Sequence, residues 1–410
     1  MSGIKRIDGG VTSPKGFQAA STAAGIKYRD RTDMAMVFSK EPCECAGTFT
    51  SNKVKAACVK WDMELVSSGR HFHGVVINSG IANACTGEEG FSACRKTAEA
   101  VADTLNVPAG SVAVASTGVI GMQLPVDKLV SGISDMSKKL SDSGEAGTEA
   151  SKAIMTTDTV NKEIAVQFTV GGKEAFIGGM SKGSGMIHPN MCTMLAFLTT
   201  DVNIEKSLLQ KAISKAVADT FNMITVDGDT STNDTCMVMA NGLCGNEKIT
   251  SEDKDYDVFR EALFYVCRYL ARRMAGDGEG ATKLFEAKVV NAKNTKDAKT
   301  LARAVVGSNL SKAAIFGCDA NFGRFLCAMG YSGADFDEED VELYFESRSG
   351  RLKVFDHGIP LDFDEDKAVS IMKEEEVTVF IDMNEGEAAA TAWGCDLTYD
   401  YVKINADYRT

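Results

Sequence analysis

The sequence predicts an α/β fold, and three observations carry that prediction. Short β-branched runs alternate along the chain with segments whose apolar residues recur every three or four positions. The 410 residues are 44% hydrophobic and 25% charged, enough to bury a large core in two or more structural units. From Lys283 the texture changes, and strand-like segments crowd together behind the glycine loop Gly276-Asp-Gly-Glu-Gly280.

In chain order, Gly74-Val-Val-Ile-Asn78 and Ser111-Val-Ala-Val-Ala115 read as buried strands, each running into a polar or glycine turn where a site loop would begin. Phe91 to Leu105 between them has helical periodicity. Met194 to Leu198 is a third buried strand. Ile204 to Phe221 is a helix with Leu209, Ile213, Val217 and Phe221 on one face and Asn203 as its N-cap. Tyr256 to Met274 repeats the pattern with Phe259, Leu263, Val266 and Leu270, and the glycine loop stops it. Beyond it, Lys283–Val290, Val341–Glu346 and Glu376–Ile381 are strand-like, with the helix Leu301–Val306 between the first two. The expected organisation is a larger catalytic region, residues 1–282, and a smaller α/β domain, residues 283–410.

Composition excludes several classes of function. With Asp+Glu 57 against Lys+Arg 44, the net charge of -13 lacks the basic surface that displaces counterions from nucleic-acid phosphates. No apolar run approaches the roughly 20 residues of a membrane span, and Met-Ser-Gly-Ile-Lys-Arg-Ile-Asp has no apolar leader core, so a cytoplasmic location is expected. The 12 cysteines are scattered singly apart from Cys43-Glu-Cys45 and read as reduced thiols without paired zinc-ligand spacing. The acidic clusters Asp335–Asp340 and Asp362–Asp366 read as solvated loops, and no metal site is expected.

The segment Gly179-Met-Ser-Lys-Gly-Ser-Gly-Met-Ile-His-Pro-Asn-Met-Cys-Thr-Met-Leu-Ala-Phe-Leu-Thr-Thr-Asp201 carries the chemistry. By periodicity alone it is a polar loop entering a strand. A mid-chain Thr193 has only a weakly nucleophilic hydroxyl. If the Cys192–Thr193 bond is cut, Thr193 gains an α-amine of pKa roughly 7.7 to 8.0 beside its own Oγ, and then holds nucleophile and base together.

This segment resembles the self-processing site of the ornithine acetyltransferase (glutamate N-acetyltransferase) family. The likeness extends over nearly the whole chain, through Gly9-Gly-Val-Thr-Ser-Pro-Lys-Gly-Phe17, Asn78-Ser-Gly-Ile-Ala-Asn-Ala-Cys-Thr-Gly87 and Ser116-Thr-Gly-Val-Ile-Gly121. It continues in Met155-Thr-Thr-Asp-Thr159, Val226-Asp-Gly-Asp-Thr-Ser-Thr-Asn-Asp-Thr235 and Gly317-Cys-Asp-Ala-Asn-Phe-Gly-Arg324. The fold it implies is the layered arrangement of sheets and helices of that self-processing type, with a smaller C-terminal α/β domain.

The resemblance implies cleavage between Cys192 and Thr193, with Thr193 as nucleophile and Thr117 and Gly118 as the oxyanion hole. Read without it, Ser116-Thr117-Gly118 is a strand-ending turn and Lys182 a solvated lysine. It implies substrate binding by Thr156, Lys182, Thr193, Glu279, Asn405 and Thr410, the last two from a C-terminal tail that returns to the site. The implied reaction moves acetyl from N-acetylornithine to glutamate through an acetyl-threonine, without a cofactor, in an α2β2 assembly of the two fragments. Acetyl-CoA is a further donor in some members. The chain departs from the family at Cys192, Ala320 and Phe322, where Ala, Pro and Trp are usual, while Asp319, Asn321 and Arg324 stay in place.

Two other readings stand beside it. Ile224-Thr-Val-Asp-Gly-Asp-Thr-Ser231 has the Asp-x-Asp spacing of magnesium-dependent phosphohydrolases, with Asp227 as nucleophile and Asp229 as acid/base. Among four histidines, His71 and His73 face solvent around a turn and His188 is a candidate for orienting groups near Thr193. A non-enzymatic scaffold would remain one intact chain.

Overall fold

The computed structural model describes residues 3–188 and 194–407. The chain forms two compact units, the first comprising Met1–Gly183, Pro189–Asn222 and Thr230–Leu270, the second Ser184–His188, Met223–Asp229 and Ala271–Thr410.

Among the described residues the first unit is built on nine strands: β1 (Lys5–Ile7), β2 (Phe17–Thr22), β3 (Met34–Phe49), β4 (Phe72–Ile81), β5 (Val112–Val119), β6 (Lys162–Val170), β7 (Lys173–Lys182), β8 (Leu195–Thr200) and β9 (Thr235–Ala240). They pair in the order β1-β6-β7-β8-β9-β3-β4-β5, with β2 also on β3. Only β4–β5 and β8–β9 are parallel among these pairs.

Strand β3 is the joint of this sheet. Its first part pairs with β2 through Met34 to Ser39 and with β4 through Met34 to Phe38 and again at Cys43, and its second, Glu44 to Phe49, with β9. Pro42, which has no N–H to give a ladder, sits exposed in the break between Phe38 and Cys43, just before the partner changes. Alternation then divides its side chains between two cores. Met34, Met36 and Phe38 join Val76 and Val114 beneath three helices, α1 (Ala57–Ser67), α2 (Gly87–Leu105) and α3 (Val126–Ser137). Ala35, Val37, Cys43 and Cys45 enter a second core in which Val75, Ile77, Ala113 and Ala115 meet Met180, Leu195, Phe197, Met237 and Met239. The two halves of the sheet therefore share a buried interior, to which α4 (Gly144–Ala153) adds Ala150 and Ala153. This is the layered α/β arrangement expected.

Helix α5 runs Lys206–Asp219, shorter than the predicted Ile204–Phe221, and Glu205 stands at its N-cap without a side-chain bond. Asn203 is not the cap because its backbone is already committed. Its N–H donates to Asn246 Oδ1 at 2.8 Å, its carbonyl accepts from Asn246 Nδ2 at 3.1 Å and from Ile249 N at 3.0 Å, and Ile204 forms a bridge with Ile249. Helix α6 runs Lys254–Gly276, with Phe259, Leu263, Val266 and Leu270 fully buried as predicted. Helix α2 begins at Gly87, ahead of the predicted Phe91, and closes on Asn106 in the left-handed conformation, φ 54°.

The second unit holds six strands: β10 (Leu284–Ala292), β11 (Glu342–Ser347), β12 (Gly350–Asp356), β13 (Ile359–Pro360), β14 (Glu376–Asp382) and β15 (Ala388–Cys395). Their order is β13-β12-β11-β14-β10-β15, parallel only between β10 and β14. Helix α7 (Thr295–Gly307) packs on β10 and β15 through Ala298, Leu301, Ala302, Val305 and Val306, and Asn294 caps it. It starts six residues before the predicted Leu301 because its first turns are charged and lack the apolar signal. Helices α8 (Asn309–Phe316), α9 (Phe322–Gly330), α10 (Glu365–Met372) and α11 (Tyr399–Asp407) complete the unit. The acidic clusters serve as caps: Asp337 begins the short turn Glu338–Asp340, and Asp364 accepts from Lys367 N at the start of α10.

Candidate active site

In the first unit the site begins where the parallel strands β4 and β5 end. Ser79 lies opposite Thr117 and Gly80 opposite Gly118, and the register then shifts at Ile81. Gly118 has φ 130°, and a Cβ there would lie 2.2 Å from the carbonyl carbon of Gly80. The two backbones come closer than any side chain permits, and glycine is the residue that allows it. The result is a register-shifted strand end, inside β5, that presents Thr117 and Gly118 at the carboxyl end of a parallel strand pair.

A buried polar network holds that strand end from behind. Ser116 Oγ donates to Asn78 Oδ1 at 2.7 Å, and Asn78 Nδ2 donates to the carbonyl of Ile81 at 3.0 Å. Asn233 Nδ2 donates to the carbonyls of Ala82 and Ser116, at 2.5 and 2.8 Å.

Lys182, the last residue of β7, is buried and places Nζ 3.5 Å from Thr117 Oγ1. The surface lysine that the residue type alone suggests is thus a core cation. Asp158 holds the neighbouring backbone: it accepts from Gly183 N at 2.7 Å and Thr156 N at 3.1 Å, and pairs with Lys162 at 2.7 Å with both side chains fully buried. Burial pushes the Asp158 carboxyl up, but the charges of Lys182 and Lys162 overcome it and hold the group at about 2. Thr156 is fixed through its main chain, since its carbonyl also accepts from Arg31. Asp234 is the opposite case. Burial pushes it well above the usual carboxylate range, against a hydrogen bond from the backbone of Met194 and the charge of Lys182.

In the second unit Glu279 and Asn405 come together, with Asn405 Nδ2 donating to Glu279 Oε2 at 2.7 Å. Glu279 is buried, its N–H donates to the carbonyl of Ser184 at 2.9 Å, and a Cβ on Gly185 would lie 2.4 Å from its carboxylate. The second glycine of Lys182-Gly-Ser-Gly185 is therefore the space Glu279 occupies. Asp227 clasps the residues that follow, accepting from Met186 N at 2.6 Å, Ile187 N at 2.8 Å and Asp229 N at 3.2 Å. Tyr401 of α11 also bonds it, and burial followed by the charges of Asp227 and Glu279 pushes the phenol up.

That clasp removes the phosphohydrolase reading, because a carboxylate saturated by backbone N–H groups and a phenol is not a nucleophile aimed at phosphorus. His188 is wedged between Thr225 Oγ1, 3.0 Å from Nδ1, and Arg303, 3.2 Å from Nε2, and burial followed by the Arg303 charge lowers its pKa. His73 is half-buried with Nδ1 3.0 Å from the Ser39 carbonyl rather than facing solvent. Among the described residues one group has metal-ligand geometry, Glu342, Asp356 and His357, but the Lys353 ammonium lies 3.0 Å from Glu342 and 2.6 Å from Asp356. No helix among the described residues is long and apolar enough to cross a membrane.

Cys192, Thr193 and Thr410 lie outside the described residues. Sequence reasoning missed Asp158, Asn233, Asp227 as a clasp, and Tyr401. The first three stand inside motifs already singled out, as polar residues next to glycines or threonines, a pattern that marks backbone-holding side chains as well as reacting ones. Tyr401 carries no comparable signal.

A layered α/β fold whose parallel strands deliver a glycine-shaped strand end beside a buried lysine frames the candidate active site of this chain. It belongs to the ArgJ family, whose model matches residues 18–410. It is 50% identical over 404 residues to the arginine biosynthesis bifunctional protein ArgJ of Caldanaerobacter subterraneus subsp. tengcongensis, covering 98% of this chain and 99% of the relative. The protein of the same name from Bacillus subtilis is 45% identical over 407 residues, covering 99% and 98%. Among solved structures, the ornithine acetyltransferase complexed with ornithine from Mycobacterium tuberculosis is 42% identical, with TM-score 0.43, and matches 47% of this chain and 100% of that chain.

Proposed function

We propose that the chain cleaves itself between Cys192 and Thr193 and then transfers acetyl from N-acetylornithine to glutamate by a ping-pong route. Membership of the ArgJ family makes it an acetyl-transferring enzyme of arginine biosynthesis. Thr193 Oγ attacks the acetyl carbonyl while the freed α-amine takes its proton, and ornithine leaves with its α-nitrogen protonated. The α-amine of glutamate then attacks the acetyl-threonine ester, giving N-acetylglutamate and restoring the hydroxyl. Both tetrahedral intermediates carry charge on oxygen, which we assign to Thr117 and Gly118.

Thr156, Lys182, Glu279, Asn405 and Thr410 are assigned to the substrate. Glu279 suits an ammonium group, and hydroxyls and an amide suit a carboxylate and an acetamide. We assign the catalytic region to residues 1–282 and the smaller domain to 283–410, the fragments to an α2β2 assembly, and the enzyme to the cytoplasm. The relatives are named bifunctional, and we assign acetyl-CoA as a second acetyl donor.

The observation that supports this reading most directly is the buried Lys182 ammonium 3.5 Å from Thr117 Oγ1, beside a strand end whose close approach only glycine allows. Intact mass spectrometry before and after N-acetylornithine tests it. The expected result is two fragments, the larger beginning Thr-Met-Leu-Ala and gaining one acetyl group. An uncut chain with full activity, or acetyl on the smaller fragment, overturns it.

A further inference from the structure

Asn233 belongs to the motif Val226–Thr235, yet no role in substrate or intermediate binding falls to it. Its side chain is buried and sits on the last residues of β4 and β5. One amide nitrogen donates to two carbonyls, Ala82 at 2.5 Å and Ser116 at 2.8 Å. The other end of the amide accepts from Thr232 Oγ1 at 2.6 Å. That contact, together with two carbonyls that can only accept, settles which end is nitrogen. Cys58 Sγ lies 3.7 Å from the same nitrogen.

Ser116 is the residue before Thr117, and Ala82 follows the Gly80–Ile81 register shift that Gly118 packs against. The amide is thus a strut across the gap between the two strand ends. It fixes the peptide that leads into Thr117 and the one that leads out of the bulge. The β4–β5 register shifts at Ile81, and past it the Ala82 N–H donates to the Val119 carbonyl at 2.9 Å; the Asn233 amide adds the tie between the Ala82 and Ser116 carbonyls.

We propose that Asn233 is the positioning residue of the Thr117–Gly118 strand end, and this rests on the oxyanion role assigned to those two residues. Without the strut, two buried carbonyls lose their donor and the strand end relaxes away from them. A displacement on the order of 1 Å at a reacting centre costs about 100-fold in rate. Substrate affinity, which the strand end does not supply in the ground state, stays as it is.

Turnover of N-acetylornithine and glutamate by the cleaved enzyme tests this in Asn233→Ala, Asn233→Asp, Thr117→Ala and the double variant Asn233→Ala/Thr117→Ala. Asn233→Ala should lower kcat by about 10- to 100-fold with KM within about twofold. The double variant should be no slower than the slower single one, because both substitutions disable the same strand end. Asn233→Asp should turn over poorly at neutral pH, with a carboxylate against two carbonyl oxygens. It should recover as pH falls, when the acid regains one donor, and the wild type should show no such rise. Near-normal kcat in Asn233→Ala alongside a slow Thr117→Ala overturns this inference alone, as does an additive double variant. Near-normal kcat in Thr117→Ala overturns the oxyanion assignment beneath it. Asn233 variants that fold but never cleave also overturn the inference, since the amide would then serve processing and not turnover.

Discussion

Asn405 donates its side-chain amide to the Glu279 carboxylate at 2.7 Å, joining α11 to the glycine loop 126 positions earlier in the chain. With the Tyr401–Asp227 bond it ties the last helix to a residue assigned to substrate and to the carboxylate that clasps residues 186 and 187. Deleting residues 405–410 should leave self-cleavage intact. It should raise KM for N-acetylornithine or abolish transfer, as the carboxylate loses the partner that orients it. Asn405→Ala should raise KM about tenfold, the scale of one lost charge-assisted hydrogen bond. Unchanged kinetics in the truncated enzyme would remove the tail, and with it Glu279, from the substrate assignment.

Thr193→Ala should block both cleavage and transfer, because neither nucleophile remains. Thr193→Ser keeps a hydroxyl at the same place and should retain part of each. A denaturing gel and an assay on the same preparations check this; an active Thr193→Ala would move the nucleophile elsewhere.

Gly118→Ala asks for a methyl group 2.2 Å from the Gly80 carbonyl carbon at a φ of 130°. Both the clash and the dihedral oppose it, so the β4–β5 ends must separate. The variant should lose at least the factor of roughly 10² to 10³ that an oxyanion donor contributes to kcat. Wild-type kcat in a folded Gly118→Ala would show that the close approach is not needed for turnover.

The Asp158 carboxyl is held at about 2 against an ordinary 3.8, so its ionised form is favoured by folding. The stability it contributes is fully present above pH 3.8 and is lost as pH falls through about 2. Asp158→Asn should therefore destabilise the protein at neutral pH, by about 3 to 5 kcal/mol, because Lys162 keeps a buried charge without its carboxylate. The gap between wild type and variant should narrow as pH falls over that window. Urea titrations across it provide the check, and a pH-independent gap would assign the shift to another group.

Much of the first unit was legible because its strands are buried on both faces and read as continuous β-branched runs. Val75 to Ile77 and Val112 to Val114 are unmistakable on that ground. Strand β3 was not, since Ser39-Lys-Glu-Pro42 interrupts it with polar residues and a proline that suit a joint better than a strand. Helix α5 began late for a reason no propensity contains: Asn246 and Ile249 had already taken the Asn203 backbone. Among the candidate residues, the motif words led to Thr117, Gly118, Lys182, Glu279 and Asn405. They did not reveal that Asp158 and Asn233 hold these residues through main-chain groups. A side chain that positions a backbone looks, in sequence, like one that touches a ligand.

Strand β3 has a consequence for how the first unit melts. From Met34 to Phe38 its even-numbered residues belong to one core and its odd-numbered ones to the other, Cys43 and Cys45 join the second, and its two ends supply edges to different partners. Slipping it by one residue would exchange the contents of both interiors at once. Neither half of the sheet can open while the other stays closed, so the unit should behave as one cooperative block. Native-state hydrogen exchange should find the amides of Ala35 to Val37 and of Cys45 to Gly47 opening with a common free energy, the highest in the unit. A lower value confined to one end of the strand would mean that the joint at Pro42 lets the two halves breathe separately.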